Sequence, residues 1–447
     1  MKRKFLSWIG LLLALSVVLG ACAPAATPTP EVVTKVETQV LVITATPPPP
    51  TPVPPAPEAK VKFGGLVPLT GALSEFGATF QLAGDLAKMH LTAAGFPIDI
   101  LYGDTETSAI PGVDAARTLV DIEGVKALIG AAASGVTVPI AESVSIPSQV
   151  PQISNASTSP LLTVLPADED QDFLFRTCPS DALQGVIAGK LAADLGYTTV
   201  AVLYVNNPYG LGLATQFKES FEFRGGTVTQ MVPHDEAVSP TYVSELRKAA
   251  EGGAEVLYVL SYPGHATVYL KEAIEGGFFD TFLFCDGSKS IEMPQQLGPD
   301  VLAGMWGTAP GSAASASYDQ FVGEYTVFYG EVPPLPFMTN FYDGVVVAAL
   351  AAAKCEADGQ EITSICIRDN LRAVANPPGV PIVPGPTSIA HGLERLQAGE
   401  DVNYEGAAGS VDFDEHGDVI TPIEIWRYID ITPFMETERL EMRIPEI

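Results

Sequence analysis

The chain has 447 residues, with 53 acidic against 24 basic side chains and a formal charge of −29. So acidic a surface repels phosphate backbones and argues against nucleic-acid binding. Apolar residues make up 47 % of the chain, enough for full cores, and from about Val61 there is length for two domains.

At the N-terminus, Lys2-Arg3-Lys4 precede an apolar run from Trp8 to Leu19, which is too short to span a bilayer comfortably. It closes on Leu19-Gly20-Ala21-Cys22 and resembles a bacterial lipoprotein signal, with residues 1–21 removed and Cys22 lipidated. An ordinary signal peptide or an uncleaved anchor is the alternative. No later segment offers 18 or more consecutive apolar residues. Residues 22–60 are rich in Pro and Thr, densest at Pro47 to Pro50. Such chain is extended at about 3 Å per residue and forms a semi-rigid tether reaching on the order of 100 Å. Val32 to Ala45 alternates like a strand but has no obvious partner, and it is read as tether.

Beyond the tether, apolar runs alternate with segments of helical period. Val61 to Pro68 reads as a strand, followed by a helix from about Phe76 to Ala94. Next come a strand at Ile98 to Tyr102, a helix from about Pro111 to Asp121 and a strand at Val125 to Ala131. Val136 to Ser145 reads as a helix, Val150 to Ser154 and Phe173 to Thr177 as strands, and Ala182 to Leu195 as a helix. Further strands are expected at Thr199 to Val205, Thr227 to Val232, Val256 to Ser261 and Phe282 to Cys285. This alternation predicts an α/β fold of parallel sheets with helices on both faces.

In open parallel sheets ligands collect outside the carboxyl ends of the strands. Two clusters of small residues and hydroxyls fall there, Ala131-Ala132-Ala133-Ser134-Gly135 and Ser154-Asn155-Ala156-Ser157-Thr158. Helix starts offer unpaired N–H groups to an anion, and small residues let a ligand approach the backbone. Ordinary capping by Ser134 and turn formation by Ser154 and Thr158 is the plainer reading of each. Two clusters on consecutive turns favour a ligand.

Other motifs carry less. Ala132-Ala133-Ser134-Gly135-Val136 lacks both glycines of a nucleophile elbow. His90, His234, His265, His391 and His416 show no paired metal spacing, and no metal or cofactor is expected. Gly210-Leu211-Gly212 has no third glycine for a dinucleotide fingerprint. Asp412 to Asp418 is a weak likeness of a calcium loop, with His416 in place of an oxygen ligand, and a turn between strands is the simpler reading. Asn155-Ala156-Ser157 is only formally a glycosylation acceptor. Setting Cys22 aside leaves four cysteines, which permits disulfides in a chain exported from the cytoplasm. Cys355 and Cys366 flank a stretch that can turn at Asp358-Gly359, and a disulfide is expected there, contributing about 3 kcal/mol on the chain-entropy view. Pairing of Cys178 with Cys285 is left open.

Several stretches together resemble the type I periplasmic binding proteins of ABC transporters, especially the leucine/isoleucine/valine-binding family. They are Pro68 to Gly77, residues 130–160, Phe175 to Asp181, Tyr209 to Gly212 and Phe413 to Asp418. The resemblance implies two doubly wound parallel-sheet lobes joined by three crossovers and closing by a hinge. The N-terminal lobe would comprise 61–177 and 309–418, and the C-terminal lobe 178–308 and 419–447.

The family's ligand positions fall on Ser134, Ala156, Thr158 and Phe76 in the first lobe, and on Tyr209 and Asp286 in the second. A further aromatic falls on Ser261 or Tyr262, with Tyr262 preferred. By this likeness Ser134, Thr158 and nearby N–H groups hold an α-carboxylate, while Asp286 and the Ala156 carbonyl take an ammonium. Phe76, Tyr209 and Tyr262 enclose the side chain. Asp286 is shorter than the family's glutamate and follows Cys285, which leaves the ligand's identity open. The implied function is a lipid-anchored, extracytoplasmic receptor without catalytic residues, capturing an aliphatic amino acid for a membrane permease. The alternative is a sensory receptor that signals without transport.

Overall fold

The computed structural model describes residues 57–312 and 315–441. The signal segment, Cys22 and nearly all of the tether lie outside the described residues. Among those described, no helix is long and apolar enough to cross a membrane.

The first sheet is built from β1 (Val61–Val67), β2 (Ile98–Asp104), β3 (Leu128–Ile129), β4 (Gln152–Ser154) and β5 (Leu174–Arg176). All pair in parallel, in the order β2-β1-β3-β4-β5. Burial on both faces explains why β1 reads as a nearly unbroken apolar run. Between the strands lie α1 (Ser74–Ala93), α2 (Ala109–Arg117), α3 (Ser134–Ile140) and the short α4 (Ile146–Ser148). The helix expected over Val136 to Ser145 starts two residues earlier and does not run through. Pro139 and Pro147 remove backbone donors, and the chain between α3 and α4 widens into a five-residue π-turn at Ala141–Ser145.

From β5 the chain enters α5 (Asp181–Asp194) and a second sheet. This contains β6 (Thr199–Val205), β7 (Thr227–His234), β8 (Val256–Leu260), β9 (Phe282–Phe284) and β10 (Trp306–Pro310). The connecting helices are α6 (Pro208–Phe223), α7 (Val243–Ala250), α8 (Pro263–Glu275), α9 (Glu292–Leu297) and α10 (Pro299–Leu302). After β10 the chain returns to the first sheet as α11 (Ala316–Tyr329), α12 (Met338–Ala357), α13 (Ser364–Ala375) and α14 (Pro386–Gln397). There α12 packs on α1, β3 and β4. It is buried along nearly its whole length, as a helix apolar on all sides must be. The small parallel pair β11 (Val380–Ile382) and β12 (Val402–Tyr404) lies beside it.

A third passage leads to β13 (Ile423–Tyr428) and β14 (Met435–Glu441). These join the second sheet in antiparallel fashion, giving the order β14-β13-β10-β9-β8-β6-β7. The fold is thus α/β with two parallel-sheet lobes, and the second carries an antiparallel edge that the strand pattern did not announce.

Cys355, in the last turn of α12, is bonded to Cys366 in the first turn of α13, with Cα atoms 6.1 Å apart. Gly359 turns the chain between them at φ +71°. Cys178 and Cys285 are buried free thiols. Residues 412–418 form a tight turn in which the Asp414 carboxylate accepts from the N–H groups of His416 and Asp418. The Asp418 carboxylate is held by the Arg176 guanidinium.

Candidate functional site

The carboxyl ends of the two sheets face one another, and the space between them is almost filled, leaving a cavity of about 20 Å³, room for about one water. That is well below the size range of small-molecule sites, so binding a ligand requires these walls to move apart. The lobes are closed over it: Gly264 N–H donates to Ala72 O at 3.1 Å, and Ser159 Oγ donates to Pro208 O at 2.9 Å.

On the first-lobe side, Phe76 sits in the first turn of α1 and is 2 % exposed. It packs on Phe80, 5.9 Å between centroids, and Phe80 stacks on Phe341 of α12. This turn can form because position 77 is glycine: a Cβ there would lie 2.3 Å from Pro68 O. Ser134 begins α3 immediately after β3 and is 1 % exposed. Its oxygen accepts from Ser159 N–H at 3.3 Å, which leaves its proton to donate. Ala132, Ala133 and Ala156 complete this wall with small side chains.

The second hydroxyl cluster behaves differently from what its composition suggested. Ser154 Oγ donates to Ala131 O at 2.7 Å. Ser157 Oγ lies 2.8 Å from Thr137 Oγ1 and 3.0 Å from Ala132 O. These hydroxyls brace the turn after β3 from behind. Thr158, expected to hold a carboxylate, is fully buried but does not line the cavity. Its hydroxyl donates to Asp181 Oδ2 at 2.8 Å, tying the loop after β4 to the start of α5.

The second-lobe side is aromatic and acidic. Asn207 caps α6 by accepting from Gly210 N–H at 3.0 Å, and this fixes Tyr209 in the first turn. Tyr209 stacks on Tyr262, 5.6 Å between centroids. Tyr262 precedes α8, and its hydroxyl accepts from Asn207 Nδ2 at 3.1 Å. Between the two alternatives at this place, Tyr262 lines the cavity. Ser261 is turned into the lobe, 2.8 Å from His234 Nε2 and 3.2 Å from His265 Nδ1.

Asp286 follows β9 and is 3 % exposed. Its Oδ1 accepts from Tyr209 Oη and from Gln184 Nε2, each at 2.8 Å. Burial pushes its carboxyl up to about 6, although both donors favour the charged form. Behind it stands Asp181, fully buried, whose carboxyl is raised by burial and then by the charge of Asp286. Asp181 Oδ1 and Gln184 Oε1 have no hydrogen-bond partner among the described residues. Arg176, the nearby cation, is engaged with Asp418 and the carbonyls of Ser157 and Ser159. Among the described residues no basic side chain lines the cleft, so its negative charge has no counter-charge there.

Six of the seven expected ligand positions meet at this one cavity, with Thr158 apart. Sequence reasoning missed Leu73, Phe80 and Phe337 on its walls and Asp181 behind them. Asp181 carried a signal, as an acid at a helix start within a matching stretch. Phe337 carried none, being in a proline-rich loop with φ +66°.

A family profile described as periplasmic binding protein matches residues 60–424. The chain is 26 % identical over 370 residues to BasB of Halobacterium salinarum, a substrate-binding protein of a chemotactic signal transduction system, covering 79 % of this chain and 83 % of that one. To Leu/Ile/Val-binding protein homolog 2 of Brucella abortus it is 29 % identical over 251 residues, 54 % of this chain and just under two thirds (65 %) of that one. Among solved structures, LivJ of Streptococcus pneumoniae in complex with isoleucine superposes with a TM-score of 0.68 at 22 % identity, covering 86 % and 99 % of the two chains. A solute-binding protein of R. palustris in complex with benzoate gives the same TM-score at 15 % identity, covering 86 % and 96 %. With the family profile spanning both lobes and the cleft between them, the chain belongs to the periplasmic binding protein family, and it is similar to Leu/Ile/Val-binding protein homologues within it.

Proposed function

We propose that this chain is the lipid-anchored, extracytoplasmic receptor of an ABC importer, and that it captures an aliphatic amino acid between its lobes. The lobes are taken as 61–177 with 309–418 and 178–308 with 419–447, and Cys22 as the lipidated residue. The observation that carries the ligand class is Asp286: a buried carboxylate on the cavity wall, backed by Asp181, with no basic side chain beside it. A ligand ammonium supplies the missing counter-charge, and the charge-assisted bond it makes is of the strong kind. Ser134 and the N–H groups at the start of α3 face the carboxylate. The rings of Phe76, Tyr209 and Tyr262 surround the apolar side chain, with the Ala156 carbonyl available to the ammonium.

A ligand with only a carboxylate, such as the benzoate bound by the R. palustris neighbour, meets repulsion from Asp286. One observation favours a second reading, delivery to a sensory receptor instead of a permease: the similarity to BasB. Calorimetry of the purified protein with the twenty amino acids and benzoate tests the ligand class. An aliphatic amino acid is expected to bind in the micromolar range or tighter, with benzoate far weaker. Tighter binding of benzoate, or no amino acid below millimolar, overturns the reading.

A further inference from the structure

The first turn of α1 carries two neighbours with different duties. Phe76 faces the cavity, while Glu75 reaches across to the second lobe. One oxygen of Glu75 accepts from Ser290 Oγ. The other accepts from Ile291 N–H at 2.7 Å and from Glu292 N–H at 3.2 Å. Ser290 is itself fully buried and fixed: its N–H donates to Tyr428 Oη at 3.2 Å, and its Oγ accepts from Met293 N–H at 3.1 Å. Two residues before α1, Ala72 O takes the Gly264 N–H bond that also crosses the cleft. Glu75 does not line the cavity.

From this geometry we propose that Glu75 is the latch that holds the lobes closed, setting ligand affinity and residence time without touching the ligand. All three of its donors belong to the opposite lobe, so hinge opening breaks every one of these bonds together. Opening returns the side chain to water, so the latch biases the open–closed equilibrium without freezing it. A ligand that needs the closed state binds with an apparent affinity scaled by the closed fraction. Burial, and the like charge of Glu292, raise the Glu75 carboxyl above its usual range. A neutral side chain of the same shape should therefore serve. In Glu75→Gln the new amide would accept from Ile291 and Glu292 N–H through its oxygen and donate to Ser290 Oγ through its nitrogen.

The inference rests on lobe closure around a ligand but not on which ligand binds. Its test is an inter-lobe distance measured between spin labels at Val327→Cys and Phe223→Cys, exposed positions on α11 and α6, in the ligand-free protein. Glu75→Ala is expected to shift the distance distribution towards the open form, and Glu75→Gln to keep the wild-type distribution. With leucine as the probe ligand, Glu75→Ala should weaken binding about tenfold, mainly through faster dissociation, while Glu75→Gln stays within about threefold. Wild-type distances in Glu75→Ala, or equal losses in both variants, overturn the latch. If leucine fails to bind the wild type, the ligand reading has failed, and the ligand-free distances still decide the latch.

Discussion

The two walls of the cleft are made in opposite ways. The first-lobe wall is small, neutral and largely backbone, with Ala132, Ala133, Ser134 and Ala156 braced from behind by Ser154 and Ser157. The second-lobe wall is large and charged: two stacked tyrosines and a buried carboxylate with another behind it. The first is a shaped cradle whose bracing hydroxyls, Ser154 and Ser157, are satisfied by carbonyls, while Ser134 keeps a proton to donate and the buried Asn155 amide has no partner among the described residues. The second keeps a buried charge unbalanced, which lowers the stability of the ligand-free protein and directs that energy at a cation. Affinity should therefore be concentrated on one wall and folding stability on the other.

The largest effect should come from Asp286. Removing one partner of a buried, hydrogen-bonded charge pair costs roughly 2–5 kcal/mol of binding. Asp286→Ala should lose that much amino-acid affinity, and Asp286→Asn at least tenfold. The ligand-free Asp286→Asn protein should melt no lower than wild type at pH 7.5, and by the charge argument higher, because a buried charge has gone. Calorimetry and thermal melts of the same samples read both, and equal affinities would reduce Asp286 to a turn residue.

The pH dependence comes next. In the ligand-free fold Asp286 titrates at about 6, above its ordinary value of 3.8. Its contribution to stability is thus fully present below 3.8 and is lost as pH rises through about 6. Asp181, raised by burial and by the charge of Asp286, and Asp343, fully buried and raised to about 7, add losses in the same direction, so wild type is compared with Asp286→Asn and the difference belongs to the Asp181–Asp286 pair. A ligand ammonium reverses the preference by favouring the ionised form. Amino-acid affinity should rise up to about tenfold from pH 5 to pH 7, with proton release on binding. Calorimetry in buffers of different ionisation enthalpy counts those protons, and none released would break the link between charge and ligand.

On the opposite wall, Ser157→Ala takes the side-chain donor from the buried Ala132 carbonyl and one of its two partners from the Thr137 hydroxyl, while Ala131 O keeps Ser154 and Thr137. Stability should drop by about 1–3 kcal/mol in denaturant titration, with affinity changed less than about threefold. A large affinity loss at unchanged stability would erase the contrast between the walls. Smallest of all is Tyr262→Phe, which removes only the bond from Asn207 and keeps the stacked ring. Affinity should fall by about threefold or less.

Much of this was legible in the sequence where one physical rule acts locally. The parallel strands other than β10 read as apolar runs, and Ser134 stood out because strand ends feed the cleft, whereas Tyr209 and Asp286 were placed by the family resemblance. Cys355 and Cys366 were legible as a loop closed across a Gly turn. The hydroxyls of Ser154, Ser157 and Thr158 misled, because composition shows donors but not where they point. Inside a packed turn their nearest acceptors are carbonyls of the neighbouring strand end and a helix-start aspartate. Phe80 and Phe337 were hidden for a related reason: a wall made by a helix face and a distant loop exists only after folding. The antiparallel β13 and β14 depend on long-range pairing with β10, which no local pattern encodes.

The last strand carries a consequence of its own. β14 is an outer strand of the second sheet, and an outer strand is a template on which another chain can continue the sheet. Here it bears Glu436, Glu438 and Glu441, with Arg427 of β13 paired to the first two. A second copy aligned on that edge would bring the same carboxylates together. Joining two such edges would have to rearrange the pairs with Arg427, a cost that disfavours growth of two copies of this chain into a shared sheet.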